Sequence, residues 1–249
     1  MTDARVVLVT GASSGIGRAT AVAFGALGWS IGLGARGGER RDAVADSVRA
    51  AGGRACSAPL DVCDPASVDA WFETCEEAFG PPDALINNAG IAWPGPIDEV
   101  GPDEHRRILE TDLLGPILAA RRAIPAMRGR TSDLVFVSSD VTRAPRPQLA
   151  SYAAAKAGLE QLARTLALEL EGTGIRCTIV RVGPTVTEFA AEWDPSGFAD
   201  LMSTWKRFGL TRRAGVLDPQ EVADAIVRVV TLPPGVHVTE IEVHATEPH

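Results

Sequence analysis

Arg5-Val6-Val7-Leu8-Val9-Thr10-Gly11-Ala12-Ser13-Ser14-Gly15-Ile16-Gly17 joins a β-branched apolar run to a glycine-rich turn, and a helical pattern follows through Leu27. Strand, turn and helix in that order bring backbone N–H groups and a helix N-terminus against a phosphate. Gly11, Gly15 and Gly17 allow a sharp turn and leave room for a pyrophosphate, where a Cβ would intrude. The stretch therefore predicts the first βαβ unit of a dinucleotide-binding sheet.

Outward from this turn, strands and helices alternate. Ser30–Ala35 reads as the second strand and runs into Arg36-Gly37-Gly38. An acid at this strand end would accept from the ribose hydroxyls, whereas an arginine suits a 2′-phosphate, so Arg36 favours NADP over NAD. A helix follows to about Ala51, then a strand over Arg54–Leu60 ending in Asp61-Val62. Asp64-Pro65 has the pattern of an N-cap and first turn, which leaves Asp61 free to accept from an adenine amino group. The helix to Phe79 stops at Gly80-Pro81-Pro82. Strand Asp83–Asn87 follows, and Asn88-Ala89-Gly90 offers amides that tie strand ends together and small residues that let a cofactor lie close to the main chain.

A rigid loop, Trp93-Pro94-Gly95-Pro96, precedes a long helix from about Pro102 to Met127, with Pro116 and Pro125 expected to bend or end it. Leu134–Ser139 is a buried strand, the next helix runs to about Glu171, and Ile175–Val182 is another strand that ends at Gly183-Pro184-Thr185-Val186-Thr187. The rhythm breaks between 188 and 215, where Phe189, Trp193, Phe198, Met202, Trp205 and Phe208 make a connection apolar enough to lid a pocket. A helix over Asp218–Val230 and a strand over Val236–Val243 close the pattern, which is that of a doubly wound parallel α/β sheet. With no repeat, low-complexity tract or linker, residues 1–249 are expected to form a single domain.

One polar cluster carries chemistry. Tyr152 and Lys156 are four apart in an alanine-rich helix and share a face. A free phenol has a pKa of about 10, and an ammonium about 4 Å away at an effective dielectric of about 20 favours phenolate by roughly 4 kcal/mol before desolvation. That would let Tyr152, the sole tyrosine, exchange a proton with an alcohol or a carbonyl oxygen. Ser139, at a strand tip, supplies a hydroxyl that can bond the same substrate oxygen.

Composition narrows the partners. The net charge of −8 argues against nucleic acid or an anionic membrane. No basic segment followed by a long apolar run opens the chain and no stretch reaches the length of a membrane span, so a cytoplasmic protein is expected. Cys56, Cys63, Cys75 and Cys177 form no C-x-x-C pair and are expected to be reduced core thiols. His105, His237, His244 and His249 are scattered without metal-ligand spacing, so no metal site is expected.

Taken together, Thr10-Gly11-x-x-x-Gly15-x-Gly17, Asp61, Asn87-Asn88-Ala89-Gly90, Ser139 thirteen residues before Tyr152, and Lys156 resemble the short-chain dehydrogenase/reductase family over nearly the whole chain. The resemblance implies a three-layered Rossmann-type fold with seven parallel strands and a nicotinamide dinucleotide across their carboxyl ends. Tyr152 would be general acid/base, Ser139 would orient the substrate oxygen, and Lys156 would hold the nicotinamide ribose and lower the tyrosine pKa. The coenzyme would contact Gly11, Ser13, Ser14, Gly15, Ile16, Gly17, Arg36, Asp61, Val62, Asn88, Ala89, Gly90, Gly183, Thr185 and Thr187. A homodimer or homotetramer built on the two long helices is also implied.

Three departures stand out. Asp112 replaces the asparagine usual in the long helix, either keeping that residue's part in a proton relay or adding negative charge near Lys156. Val182-Gly183 replaces Pro-Gly, and Ser14 replaces the basic residue common in NADP-preferring members. The expected activity is hydride transfer between NADP(H) and a largely apolar ketone, aldehyde or secondary alcohol. An NAD-dependent alcohol dehydrogenase and a catalytically impaired dinucleotide-binding regulator stay open.

Overall fold

A strand apolar on both faces needs helices above and below it. In the computed structural model, which describes residues 4–190, 193, 195–210 and 215–246, seven parallel strands make one sheet in the order β3-β2-β1-β4-β5-β6-β7. They are β1 Val6–Thr10, β2 Ser30–Ala35, β3 Arg54–Pro59, β4 Ala84–Asn87, β5 Ser132–Ser139, β6 Ile175–Val182 and β7 Glu240–Val243. Period-two alternation splits the core: Val7, Val9, Ile31, Leu33 and Val135 face α1 (Gly15–Ala26), α2 (Gly38–Ala50) and α8 (Pro219–Val230). Val6, Leu8, Leu85, Leu134 and Phe136 face α3 (Pro65–Phe79), α5 (Gly115–Met127) and α6 (Ala150–Glu169). Fully buried Trp71 and Phe72 pack edge-on at 5.1 Å, and each buried side chain of this size contributes on the order of 1.5–3 kcal/mol.

Boundaries differ from expectation where local chemistry intervenes. The long helix is interrupted: α4 spans Pro102–Leu109, a π-helical segment spans Glu110–Leu114, and α5 carries Pro125 inside it. Gly115 N–H bonds to Glu110 O, five residues back, and Pro116 has no N–H to give the Asp112 carbonyl. The departure from α-helical pairing thus falls at Asp112, four residues before the proline. The last strand is shorter than predicted because 236–239 meets β6 irregularly. His237 Nε2 lies 2.9 Å from Cys177 O, and Thr178 Oγ1 donates to Val238 O at 2.8 Å.

The four cysteines are free, but Cys56 and Cys63 are half-buried rather than core residues. A thiol hydrogen bond with Cys75 brings Cys56 down to about 7. Among the described residues no helix is long and apolar enough to cross a membrane, and no group of three possible ligands could hold a metal ion.

Candidate active site

The strand order reverses between β1 and β4, so the carboxyl ends there diverge and open a crevice. Thr10 closes its floor: its hydroxyl accepts from Asn88 N and Ala89 N, both at 3.0 Å. The Asn88 amide donates to Thr10 O at 2.9 Å and Gly11 O at 3.3 Å. One amide makes this tie, not two, since the buried Asn87 amide has no partner among the described residues.

Gly11 and Gly15 hold φ of +65° and +50°. A Cβ at Gly11 would lie 2.8 Å from Ala89 Cα, one at Gly15 3.0 Å from Thr187 Cγ2, and one at Gly17 would run into the Gly11 carbonyl. The clearance expected for a pyrophosphate is therefore needed first by the protein itself. Ser13 lies in the turn, Ser14 is the α1 N-cap without a side-chain hydrogen bond, and Ile16 packs into the core on the α1 side. Gly15 N–H donates to Glu188 Oε2 at 3.1 Å, so this helix N-terminus already holds an anionic group.

Around the crevice, Arg36 is exposed just past β2. Its corner is built by a residue the sequence did not single out: buried Arg41 donates to Ala35 O at 2.8 Å and to Ser57 Oγ at 2.7 Å. Asp64 caps α3 through Ala66 N–H at 3.0 Å, as expected. Asp61 is nevertheless not free of local duty, because its Oδ1 accepts from Cys63 N at 3.0 Å. Val62 is buried against Gly115, and a Cβ there would lie 2.8 Å from Val62 Cγ2. Past β6, Gly183 N–H pairs with Val243 O at 2.9 Å, and Thr185 Oγ1 donates to Gly183 O at 2.9 Å. Thr187 Oγ1 accepts from Phe189 N at 3.3 Å.

The structure brings Ser139, Tyr152 and Lys156 together. Ser139 lies close enough to the phenol to favour its ionised form, its Oγ also accepting from Val141 N at 3.4 Å, and Lys156 Nζ lies 5.6 Å from the Tyr152 ring centre. The ammonium's nearest polar partners are others: Asp112 Oδ2 at 3.1 Å and Val137 O at 3.1 Å. Asp112 is fully buried on the π-helical segment, and its Oδ1 accepts from Ile91 N at 2.8 Å. Gly90 makes the pair possible, since a Cβ there would sit 2.8 Å from Asp112 Oδ2.

These contacts correct the expected acidification. Burial pushes the Tyr152 phenol above its ordinary value; Lys156 opposes this and Asp112 adds to it. Burial alone would lower Lys156, but Asp112 and the phenol hold it above its usual range. Burial raises the Asp112 carboxyl against the pull of Lys156. The cluster is thus a charge-balanced triad in which Asp112 takes up part of the ammonium's field. A phenol so placed is a proton donor, and becomes an acceptor only when further positive charge is brought close.

Two supports flank the triad, and the first was not foreseen. Arg181 is wholly buried in β6, donating to Glu160 Oε2 and Glu242 Oε1 at 2.7 Å each, while Ser138 and Thr142 donate to Glu160 Oε1 at 2.8 and 2.7 Å. Burial would raise the Glu160 carboxyl, but hydrogen bonds from Arg181, Thr142 and Ser138 prevail and hold it at about 2. The network ties β5, α6, β6 and β7 together and so fixes Ser139 relative to Tyr152. Arg181 inside the otherwise largely apolar run Ile175–Val182, which also carries Arg176, was its sequence signal, because a buried guanidinium requires a carboxylate.

The second support is the connection after Thr187, the predicted lid. It contains a 3₁₀ turn over Glu188–Ala190 and helix α7 (Pro195–Arg207); its residues 191, 192, 194 and 211–214 lie outside the described residues, as do 1–3 and 247–249 of the expected domain. Phe189 stands 5.6 Å from the Tyr152 ring, Trp193 6.0 Å from Phe189, and Phe198 6.1 Å from Trp193. Trp193 Nε1 donates to Ala92 O and Trp205 Nε1 to Pro147 O, each at 2.9 Å. Arg146 bridges the lid to the serine strand, with 2.6 Å to Asp140 Oδ2, 3.1 Å to Leu210 O, and 5.3 Å to the Trp205 ring.

A doubly wound sheet with a phenol, an ammonium and a hydroxyl at its carboxyl edge has the layout of a dinucleotide-dependent oxidoreductase. Known proteins agree. Residues 5–196 match the family model described as short chain dehydrogenase. The chain is 37% identical over 226 residues to 3beta-hydroxysteroid dehydrogenase 1 of Eggerthella lenta, covering 89% of this chain and 84% of that one. It is also 37% identical over 224 residues to cis-4-hydroxycyclohexanecarboxylate dehydrogenase of Sinomonas cyclohexanicum, covering 89% and 87%. An alcohol dehydrogenase from Thermococcus sibiricus, solved with 5-hydroxy-NADP, superposes with a TM-score of 0.86 at 26% identity over 99% of both chains. The chain belongs to the short-chain dehydrogenase/reductase family, oxidoreductases acting on alcohol and carbonyl groups.

Proposed function

We propose that this protein is an NADP(H)-dependent carbonyl reductase or alcohol dehydrogenase for apolar, ring-bearing ketones and secondary alcohols, acting as one catalytic domain. The observation that carries the reading is the convergence of Ser139, Tyr152 and Lys156 beside the crevice. The carboxylate on Gly15 N–H supports a fit to the coenzyme, because an N-terminus that accepts one anion has the donors for a diphosphate. When bound, the coenzyme supplies or takes the hydride.

The protein's own groups do the rest. Ser139 orients the substrate oxygen and Tyr152 gives it a proton in reduction or takes one in oxidation. Lys156 would hold the nicotinamide ribose and, paired with Asp112, sets the field at the phenol. Gly11, Gly15 and Gly17 would hold the diphosphate, Asp61 the adenine, and exposed Arg36 the 2′-phosphate that distinguishes NADP.

Val141, Leu149, Phe189 and Trp193 form the apolar wall by Tyr152, which favours a hydrocarbon ring. The hydroxysteroid and hydroxycyclohexane names of two relatives support cyclic secondary alcohols. Exposed Leu109, Leu114, Ile117 and Leu168 support a homo-oligomer. The test is to follow oxidation of NADPH and NADH with a panel of cyclic ketones, using wild type and Ser139→Ala. The expected result is NADPH-preferring turnover that falls at least a hundredfold in the variant; no turnover of any ketone with either coenzyme contradicts the proposal.

A further inference from the structure

Glu188 makes a contact that catalysis does not require. Its carboxylate accepts the N–H of Gly15, the first residue of the twelve-residue helix α1, at 3.1 Å. The N-cap Ser14 offers no side-chain hydrogen bond there, so Glu188 supplies the anion that the end of the helix dipole favours. The preceding residue is wedged in the same place: Thr187 Cγ2 is 3.0 Å from where a Gly15 Cβ would be. The following residue, Phe189, lies 5.6 Å from the Tyr152 ring. Three consecutive residues thus span from the diphosphate end of the crevice to the proton-transfer end.

A carboxylate and a diphosphate cannot both occupy one N–H, and two anions sharing a helix N-terminus repel. We propose that Glu188 is an internal stand-in for the coenzyme diphosphate, so that dinucleotide binding must expel it from α1 and in doing so draws Phe189 away from Tyr152. The inference rests on the reading that α1 receives the diphosphate. Glu188 then lowers coenzyme affinity by keeping α1 capped, and the same displacement clears the apolar wall for substrate.

The test is calorimetric titration of wild type, Glu188→Gln and Glu188→Ala with three probes: NADPH, inorganic pyrophosphate and adenosine 2′-monophosphate. Removing the competing charge is expected to tighten NADPH and pyrophosphate roughly tenfold in Glu188→Ala, equivalent to about 1.4 kcal/mol, and by less in Glu188→Gln, which keeps an acceptor for Gly15. The 2′-monophosphate, which has no diphosphate, is expected to bind all three proteins equally. Equal or weaker NADPH binding by both variants, with wild type binding normally, overturns the inference alone. If wild type binds neither NADPH nor NADH, the coenzyme reading fails and the inference with it.

Discussion

Replacing Asp112 with asparagine would show how the site sets its phenol. The 5.6 Å from the Tyr152 ring centre to Lys156 Nζ and the 3.1 Å from Nζ to Asp112 Oδ2 keep the carboxylate within about 9 Å of the ring. At an effective dielectric of about 20, one negative charge at that distance disfavours phenolate by roughly 2 kcal/mol. Asp112→Asn is therefore expected to increase the phenolate fraction roughly thirtyfold at a fixed pH below its midpoint. The asparagine oxygen can still accept from Ile91 N–H, now 2.8 Å from Oδ1. As the phenol ionises, its own charge takes over from Asp112 in keeping Lys156 protonated.

The assay is direct because Tyr152 is the only tyrosine in the chain, so the tyrosinate absorption band in the near ultraviolet titrates one group. In turnover, the rising limb of kcat/KM for alcohol oxidation should move to lower pH. Loss of one partner of a buried pair can cost about 3–5 kcal/mol, so the melting temperature is measured alongside. A folded variant whose tyrosine titrates at the same or a higher pH would refute the assignment of Asp112 as the charge that holds the phenol up.

Two other outcomes follow from separate parts of the structure. Arg36→Ala is expected to reduce kcat/KM with NADPH at least tenfold while sparing NADH; equal losses with both coenzymes would remove Arg36 from the 2′-phosphate site. Glu160, held at about 2 against an ordinary 4.5, contributes stability that is present above about pH 4.5 and is lost as the pH falls toward 2. Linkage bounds this contribution at about 3 kcal/mol, so Glu160→Gln should lower neutral-pH stability and flatten its loss in acid, as read by urea midpoints across that range.

Much of the fold was legible because the signals were local. Alternating apolar strands and capped helices gave the parallel sheet, down to Asp64 as the cap of α3 and the strand tip that presents Ser139. What was not legible depends on pairings distant in sequence. Pro116 was expected to bend or end the helix, and the departure falls a turn earlier, where the Asp112 carbonyl is left without its helical donor. For Asp112 the sequence left two expectations open, a part in a proton relay or negative charge near Lys156, and it is the fold that brings the carboxylate, 44 positions away, to 3.1 Å from the ammonium. Glu188 and Gly15 are 173 residues apart, and nothing in either neighbourhood announces their hydrogen bond. Arg41 looks like its neighbour Arg40 until the turn after β2 buries one and exposes the other.

Proton transfer by Tyr152 is best tested by Tyr152→Phe, which removes one oxygen and leaves the ring against Phe189. With the dissociation constant of NADPH and single-turnover ketone reduction measured on the same preparation, coenzyme binding should stay within about threefold of wild type while the hydride-transfer rate falls by two or more orders of magnitude. A variant that binds NADPH normally and still reduces ketone at near the wild-type rate would contradict the account.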